Sequence, residues 1–319
     1  MRQKSCEHGI RSGSDILDQD GPRRRVYFLS GFDPRGASFY YRMFGEQVRQ
    51  LKHWSGRCLK TSHRRGQKQD HLISRWQVQE DLALRLDFCF LHWDDIARAH
   101  WPKNPLVLLR DGISIYCWYV FAGGYLKMRR LSEQVALCGL YPVLYVGTTL
   151  LVLLIACSFL GLLSYLQLLP ASLLLLLQLV VVLFGCALAW RLANHLGVVW
   201  LFRSIRFTHR LGQARDGDLR RRVAELAQRI GELEASDPAA EVLLVGHSSG
   251  SFVMAMLAAE LRRQGVDRQL AGRLQLLSLG QNLANLAVHG KARAFHDDLA
   301  LLAEEPRLPW LDITSRDDY

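Results

Sequence analysis

Three kinds of hydrophobic pattern alternate along the chain. The first is the short apolar-rich run: residues 26–29, 86–93, 242–245, 274–279 and 310–314, with weaker examples at 57–61 and 72–78. Runs of this length between turn formers predict strands, and the continuous ones suit strands covered on both faces. The second kind repeats at helical spacing. Phe39, Tyr40, Phe44 and Val48 line one side of 37–51, and Leu219, Val223, Leu226, Ile230 and Leu233 form a stripe over 218–233. Phe252, Val253, Met256, Leu257 and Leu261 recur in the same way after 250. Strands alternating with helices predict an α/β fold, a mostly parallel sheet flanked by helices.

The third kind is far longer. From Gln134 to Trp190 no Asp, Glu, Lys, Arg or His occurs. That length holds two membrane-spanning helices of about 20 residues each. Pro142 marks the entry to the first, over 143–166; 167–170 is the turn; 171–193 is the second. A transmembrane helical hairpin therefore interrupts the α/β domain. The predicted organisation is a mobile polar tail (1–24), a first part of the α/β domain (25–130), the membrane hairpin (131–203) and a second part (204–319). Before the hairpin, 106–126 is apolar but broken by Arg110, Asp111 and Gly123-Gly124. Its uncharged part, about 15 residues, is short for a span. Tyr116, Trp118, Tyr119, Phe121 and Tyr125 crowd it, which predicts a helix at the headgroup level; a buried helix is the alternative.

Charge refines this picture. The formal net charge is +10. No nucleic-acid module accompanies it, so membrane lipids are the expected partner rather than nucleic acid. Lys127, Arg129 and Arg130 precede the hairpin, and Arg191, Arg203, Arg206 and Arg210 follow it. The positive-inside rule then places both open ends, and both soluble parts, in the cytoplasm; in a bacterium the membrane is the plasma membrane. The absence of intramembrane charge argues against a transporter or channel component. Arg23, Arg24 and Arg25 read as a solvated basic run at the end of the tail. The seven cysteines are scattered and contain no C-x-x-C, which argues against a disulfide framework and a zinc site and for a reducing compartment.

The candidate chemistry lies at 241–263. An apolar strand runs into Gly246-His247-Ser248-Ser249-Gly250 and then into a helix. This matches G-x-S-x-G. A serine on a tight strand-to-helix turn has its hydroxyl pushed into the open, and flanking glycines are required where side chains would collide with strand and helix. The turn also aims the first helical amides at the reacting centre. A second strand-to-loop corner, Ser30-Gly31-Phe32-Asp33-Pro34-Arg35-Gly36, follows 26–29. Asp94 and Asp95 open the helix after 86–93 and read as an N-cap and a macrodipole partner. His92, His100 and Trp101 have no ligand spacing, and Arg35 reads as a surface arginine.

With this elbow the chain resembles the α/β-hydrolase family in its lipase and esterase branch, over about 25–105 and 215–319. The resemblance implies Ser248 as nucleophile and an oxyanion hole formed by the backbone N–H groups of Phe32 and Ser249. It implies an acid after the last strand, Asp318 ahead of Asp317, and no metal or organic cofactor. The family order is serine, acid, histidine, yet no histidine follows Asp318. His289 and His296 precede the acid, and His247 inside the elbow points away from the hydroxyl. A piece of a longer hydrolase that stops before its histidine is the expectation. The activity implied is cleavage of an ester or related acyl bond, the partner being a small or lipophilic ester. A non-catalytic membrane protein that uses a hydrolase-like domain for binding or scaffolding is the alternative.

Overall fold

The computed structural model describes residues 23–55, 59–65, 70–80, 84–167, 170–270, 272–305 and 307–314. In chain order the elements are β1 (Arg23–Leu29), α1 (Ala37–Ser55), β2 (Lys60–Thr61), β3 (Ile73–Glu80), β4 (Leu84–Leu91) and α2 (Asp94–Ala99). Five helices follow: α3 (Pro105–Phe121), α4 (Gly124–Leu131), α5 (Glu133–Tyr165), α6 (Ala171–His195) and α7 (Val198–Gly212). Then come α8 (Gly217–Ser236), β5 (Glu241–His247), α9 (Gly250–Arg263), α10 (Val266–Gln269), β6 (Leu274–Leu279), α11 (Leu283–Ala287), α12 (Arg293–Ala303) and β7 (Trp310–Ile313). The chain forms two compact units. Among the described residues, one joins those up to Trp101 to those from Arg210 onward; the other is Pro102–His209.

The first unit is built on a seven-stranded sheet in the order β2-β3-β4-β1-β5-β6-β7. β4, β1, β5, β6 and β7 run parallel. β3 is antiparallel to β4, and β2 to β3. The sheet is α/β as expected but mixed, and the reason lies in a connection. Residues 81–83 alone join β3 to β4, whereas a parallel return needs a crossover of a dozen residues or more.

β5 lies between β1 and β6, with Val26 opposite Leu243 and Leu244 opposite Leu276. Its run Val242, Leu244, Val245 is buried. The predicted stripe of α8 is buried throughout. α9 goes further than its pattern: every side chain from Phe252 to Ala259 is at most 2% exposed. Small residues at Ala255, Ala258 and Ala259 let neighbours close in on the faces between the large ones.

The basic run at the start of β1 is a correction to the sequence reading. Arg23 and Arg24 belong to the strand rather than to a tail, of which 1–22 lie outside the described residues. Arg25 is fully buried. It donates to Glu234 at 2.6 Å and to Asp237 at 3.0 Å, and Asp87 lies 3.3 Å away. Tyr27 donates its hydroxyl to the same Glu234. A buried guanidinium is tolerated because carboxylates on three sides replace its water.

In the second unit, α5 and α6 are each long and apolar enough to cross a membrane. Leu150, Leu154, Leu183 and Phe184 are each more than 60% exposed. Tyr145 donates to Ala189 O at 2.7 Å and Gln178 to Cys157 O at 3.1 Å, so polar side chains inside the apolar segments find backbone acceptors. The aromatic segment expected to be one helix is two, α3 and α4, bent by 68°. The bend falls at Gly123, whose φ is +73°, a value glycine adopts without strain. The Tyr116 and Tyr119 hydroxyls donate to the carbonyls of Gly139 and Ala136.

Candidate active site

The carboxyl ends of β1 and β5 meet at the elbow. Ser248 has φ +52°, the left-handed region that side chains with a Cβ rarely enter. Such strain persists only where the surroundings impose it, and here they do. A Cβ on Gly246 would lie 2.6 Å from Gly250 O and 2.7 Å from Ser251 Cα. One on Gly250 would lie 2.5 Å from Ser30 O and would strike the Leu29 carbonyl. Both outer glycines of the motif are therefore required by close backbone approach, as the motif predicts. Ser248 N–H donates to Leu279 O at 2.9 Å, which ties the turn to the end of β6. Ser248 is half-buried and His247 exposed.

The Ser30-Gly31-Phe32 loop lies against this turn. A Cβ on Gly31 would be 3.3 Å from Ser248 Cβ and 3.4 Å from His247 O. The Phe32 ring is buried and stacks on Trp101 at 5.4 Å. Asp33 N–H donates to Gly31 O at 2.7 Å, a tight turn. The Asp33 carboxylate accepts from the backbone and side chain of Arg35 and from Tyr40 Oη at 3.1 Å. Burial, then the Asp33 carboxylate, push the Tyr40 hydroxyl well above its ordinary range, so it stays a donor. Ser249, the other predicted oxyanion donor, is the buried N-cap residue of α9, and its N–H meets no backbone acceptor among the described residues.

A residue that sequence reasoning passed over touches the hydroxyl. Asn282 Nδ2 donates to Ser248 Oγ at 3.1 Å, the one side-chain hydrogen bond to Oγ among the described residues. Its backbone N–H donates to Ser251 Oγ at 3.0 Å, and Ser251 Oγ donates to Ser248 O at 2.6 Å. The available signal was positional: Asn282 falls three residues past β6, at the carboxyl edge where α/β sheets bind ligands.

The other predicted partners do not assemble around Ser248. Asp317 and Asp318 lie outside the described residues. On the last strand Asp312 accepts from Ser278 Oγ at 2.5 Å. His296 Nε2 is 2.8 Å from Ala287 O, and His289 is buried against Gly212. Cys89 is fully buried, and burial pushes its thiol up to about 12, which leaves it protonated and inert.

His92 and Asp94 depart from expectation. Trp93, not Asp94, is the N-cap residue of α2, and it makes no side-chain cap bond. Asp94 turns inward instead. Its Oδ1 lies 3.0 Å from His92 Nδ1 and its Oδ2 accepts from Arg98; His92 Nε2 lies 2.8 Å from Ser74 Oγ. Burial would raise the Asp94 carboxyl, but the hydrogen bonds from His92 and Arg98 outweigh it and hold the group below the usual carboxylate range. Serine, histidine and aspartate thus stand in the connectivity of a triad, yet Ser74 is fully buried and His92 and Asp94 are nearly so.

No group of three or more His, Cys, Asp or Glu side chains among the described residues is arranged to hold a metal ion. Compared with known proteins, the chain matches no family model, and no curated protein or solved structure is significantly similar to it.

Proposed function

We propose that the chain is a membrane-anchored serine hydrolase of α/β-hydrolase type, cleaving an ester or related acyl bond through an acyl-enzyme on Ser248. The observation that carries this reading is the strained serine between clamped glycines: φ +52° at Ser248, with no room for a Cβ at Gly246 or Gly250. A strand, a left-handed residue and a helix in succession lift a hydroxyl out of the backbone, and strained residues of this kind cluster at functional sites. In the reaction the Oγ–carbon bond forms and the carbonyl pair moves onto oxygen. That oxygen is met by the Phe32 and Ser249 amides. Collapse expels the alkoxide, which takes up the proton released by Ser248. The acid and the imidazole that complete the family's triad, with Asp318 as the acid, are expected from the resemblance.

α5 and α6 supply the anchor in this reading, forming a hairpin with both ends cytoplasmic. A lipophilic ester drawn from the bilayer is the substrate class that suits such a placement. The test is labelling of the full chain, in detergent, with a fluorophosphonate. Labelling lost in Ser248→Ala supports the hydrolase. Retention of the chain in membranes after an alkaline carbonate wash supports the anchor, and its release removes it. A second reading, a non-catalytic binding domain on the same scaffold, is favoured by one contact: the Ser248 hydroxyl meets an amide, Asn282, rather than an imidazole. A folded full-length chain that takes no probe removes the hydrolase reading and favours the second.

A further inference from the structure

Asn282 occupies the N-cap position of α11 but makes no side-chain cap bond. Asparagine is among the residues preferred at that position because its side chain satisfies the first helical amides. Here the side chain is diverted. Nδ2 goes to Ser248 Oγ at 3.1 Å. Oδ1 accepts from Asn285 Nδ2 at 3.0 Å, which fixes the amide with its donor end toward the serine. The backbone is fixed too, through Asn282 N–H to Ser251 Oγ and Ser251 Oγ to Ser248 O. Behind it Gly280 turns with φ +54° and donates to Ile313 O. Gln281 Oε1 takes the Leu283 N–H at 2.8 Å in its place, which leaves the Asn282 amide N–H to face a partly exposed hydroxyl.

We infer that Asn282 is a catalytic residue of the Ser248 site, a side-chain donor to the oxygen on which negative charge develops. This inference rests on the hydrolase reading above. As Oγ loses its proton and bonds to the acyl carbon, the carbonyl oxygen of the substrate comes within bonding distance of groups that already reach Oγ. The Asn282 N–H stabilises Oγ as the proton departs and then serves that oxyanion beside the backbone amides. Such a donor is effective because it is oriented before the reaction and does not reorganise during it.

The experiment measures the labelling rate of the detergent-solubilised full chain with a fluorophosphonate. In that reaction Oγ bonds to phosphorus, the P–F bond breaks, fluoride leaves with the electron pair, and the Ser248 proton passes to water. Asn282→Leu removes the donor at similar volume. Asn282→Asp keeps the shape and the Asn285 bond but replaces the donor by an acceptor, and it decides the matter where the leucine variant does not fold. Both are expected to slow labelling about 100-fold, with the unfolding midpoint close to wild type. Wild-type labelling rates in folded variants overturn the inference and leave the hydrolase reading standing. Absence of labelling in the wild type, with the chain folded, removes the hydrolase reading and the inference with it.

Discussion

Two serines in one sheet unit divide the attributes of a nucleophile between them. Ser74 on β3 has a histidine on its oxygen and an aspartate on that histidine, at 2.8 and 3.0 Å. It sits in extended backbone with no exposure at all. Ser248 has no histidine on its oxygen among the described residues, but it is half-buried, left-handed and braced by glycines. Side-chain connectivity alone therefore does not identify a reactive serine. A hydroxyl without access meets no substrate, whatever base it touches, and a Ser-His-Asp chain in a closed corner is a way to satisfy three buried polar groups. The corner also braces the loop after β1: Trp93 Nε1 donates to Ser30 O and Arg98 to Pro34 O.

The largest effect separates the two hydroxyls directly. Ser248→Ala is expected to abolish fluorophosphonate labelling, while Ser74→Ala changes the labelling rate by less than about 3-fold, the loss of a remote buried hydrogen bond. Labelling that depended on Ser74 instead would reverse the assignment. Next in size is a pair of glycines. Gly250→Ala drives a methyl group into the carbonyls of Leu29 and Ser30, which are backbone atoms of a central strand. It is expected to cost about 3 kcal/mol or more in urea unfolding. Gly36→Ala meets the Asp94 side chain at 2.9 Å. A side chain can shift where backbone cannot, so about 1 kcal/mol is expected there. Equal costs would show that the elbow is no more tightly built than the buried corner.

A third test is electrostatic. The Asp94 carboxyl is lowered in the folded chain, so its charged form stabilises the fold above the ordinary carboxylate range, and that contribution is lost as pH falls through the lowered value. The stability difference between wild type and Asp94→Asn is therefore expected to be largest near neutral pH and to shrink on acidification. Asn282 does not titrate, so the difference between wild type and Asn282→Leu is expected to stay flat over the same range. A constant Asp94→Asn difference between about pH 6 and pH 2 would sink this account.

Legibility differed between the two corners for a physical reason. The elbow is a local object: apolar strand, glycine, serine, glycine and helix follow one another, and the collisions that demand glycine arise within a few residues or against β1. The α8 stripe was legible on the same ground. The Ser74 corner is not local. It depends on the antiparallel register that sets Ser74 opposite Phe90 and Ile73 opposite Leu91, which brings His92 beside a serine 18 positions earlier. Asp94 looked like a cap because its position relative to the helix is that of a cap, and only the packing turns it inward. Asn282 is hidden for the same reason, since the β5–β6 register pairs His247 with Leu279 and so carries the next residues of the chain past Ser248. Arg25 was misread because a basic triplet reports charge, while the carboxylates that neutralise it lie more than 60 residues away in the chain.

The smallest effect isolates the backbone from the hydroxyl. Ser248→Ala and Ser248→Gly both remove Oγ and its bond from Asn282, so their difference reports the cost of holding a Cβ at φ +52°. A left-handed non-glycine residue costs on the order of 1–3 kcal/mol. Glycine returns about 0.4–1 kcal/mol of that through the greater freedom of its unfolded chain. Ser248→Gly is therefore expected to be more stable than Ser248→Ala by about 1 kcal/mol. At Ser74 the order inverts. The residue lies in a strand whose conformation any side chain adopts, so only the entropic term remains, and Ser74→Gly should be less stable than Ser74→Ala by about 0.5–1 kcal/mol. Urea unfolding of the four variants, followed by the fluorescence of the buried Trp76 and Trp93, gives both differences. A glycine advantage at 248 and an alanine advantage at 74 mean that the fold stores strain at the half-buried Ser248 and none at the fully buried Ser74. Alanine winning at both positions means that the elbow is relaxed, and the strongest structural argument for a reactive Ser248 is lost.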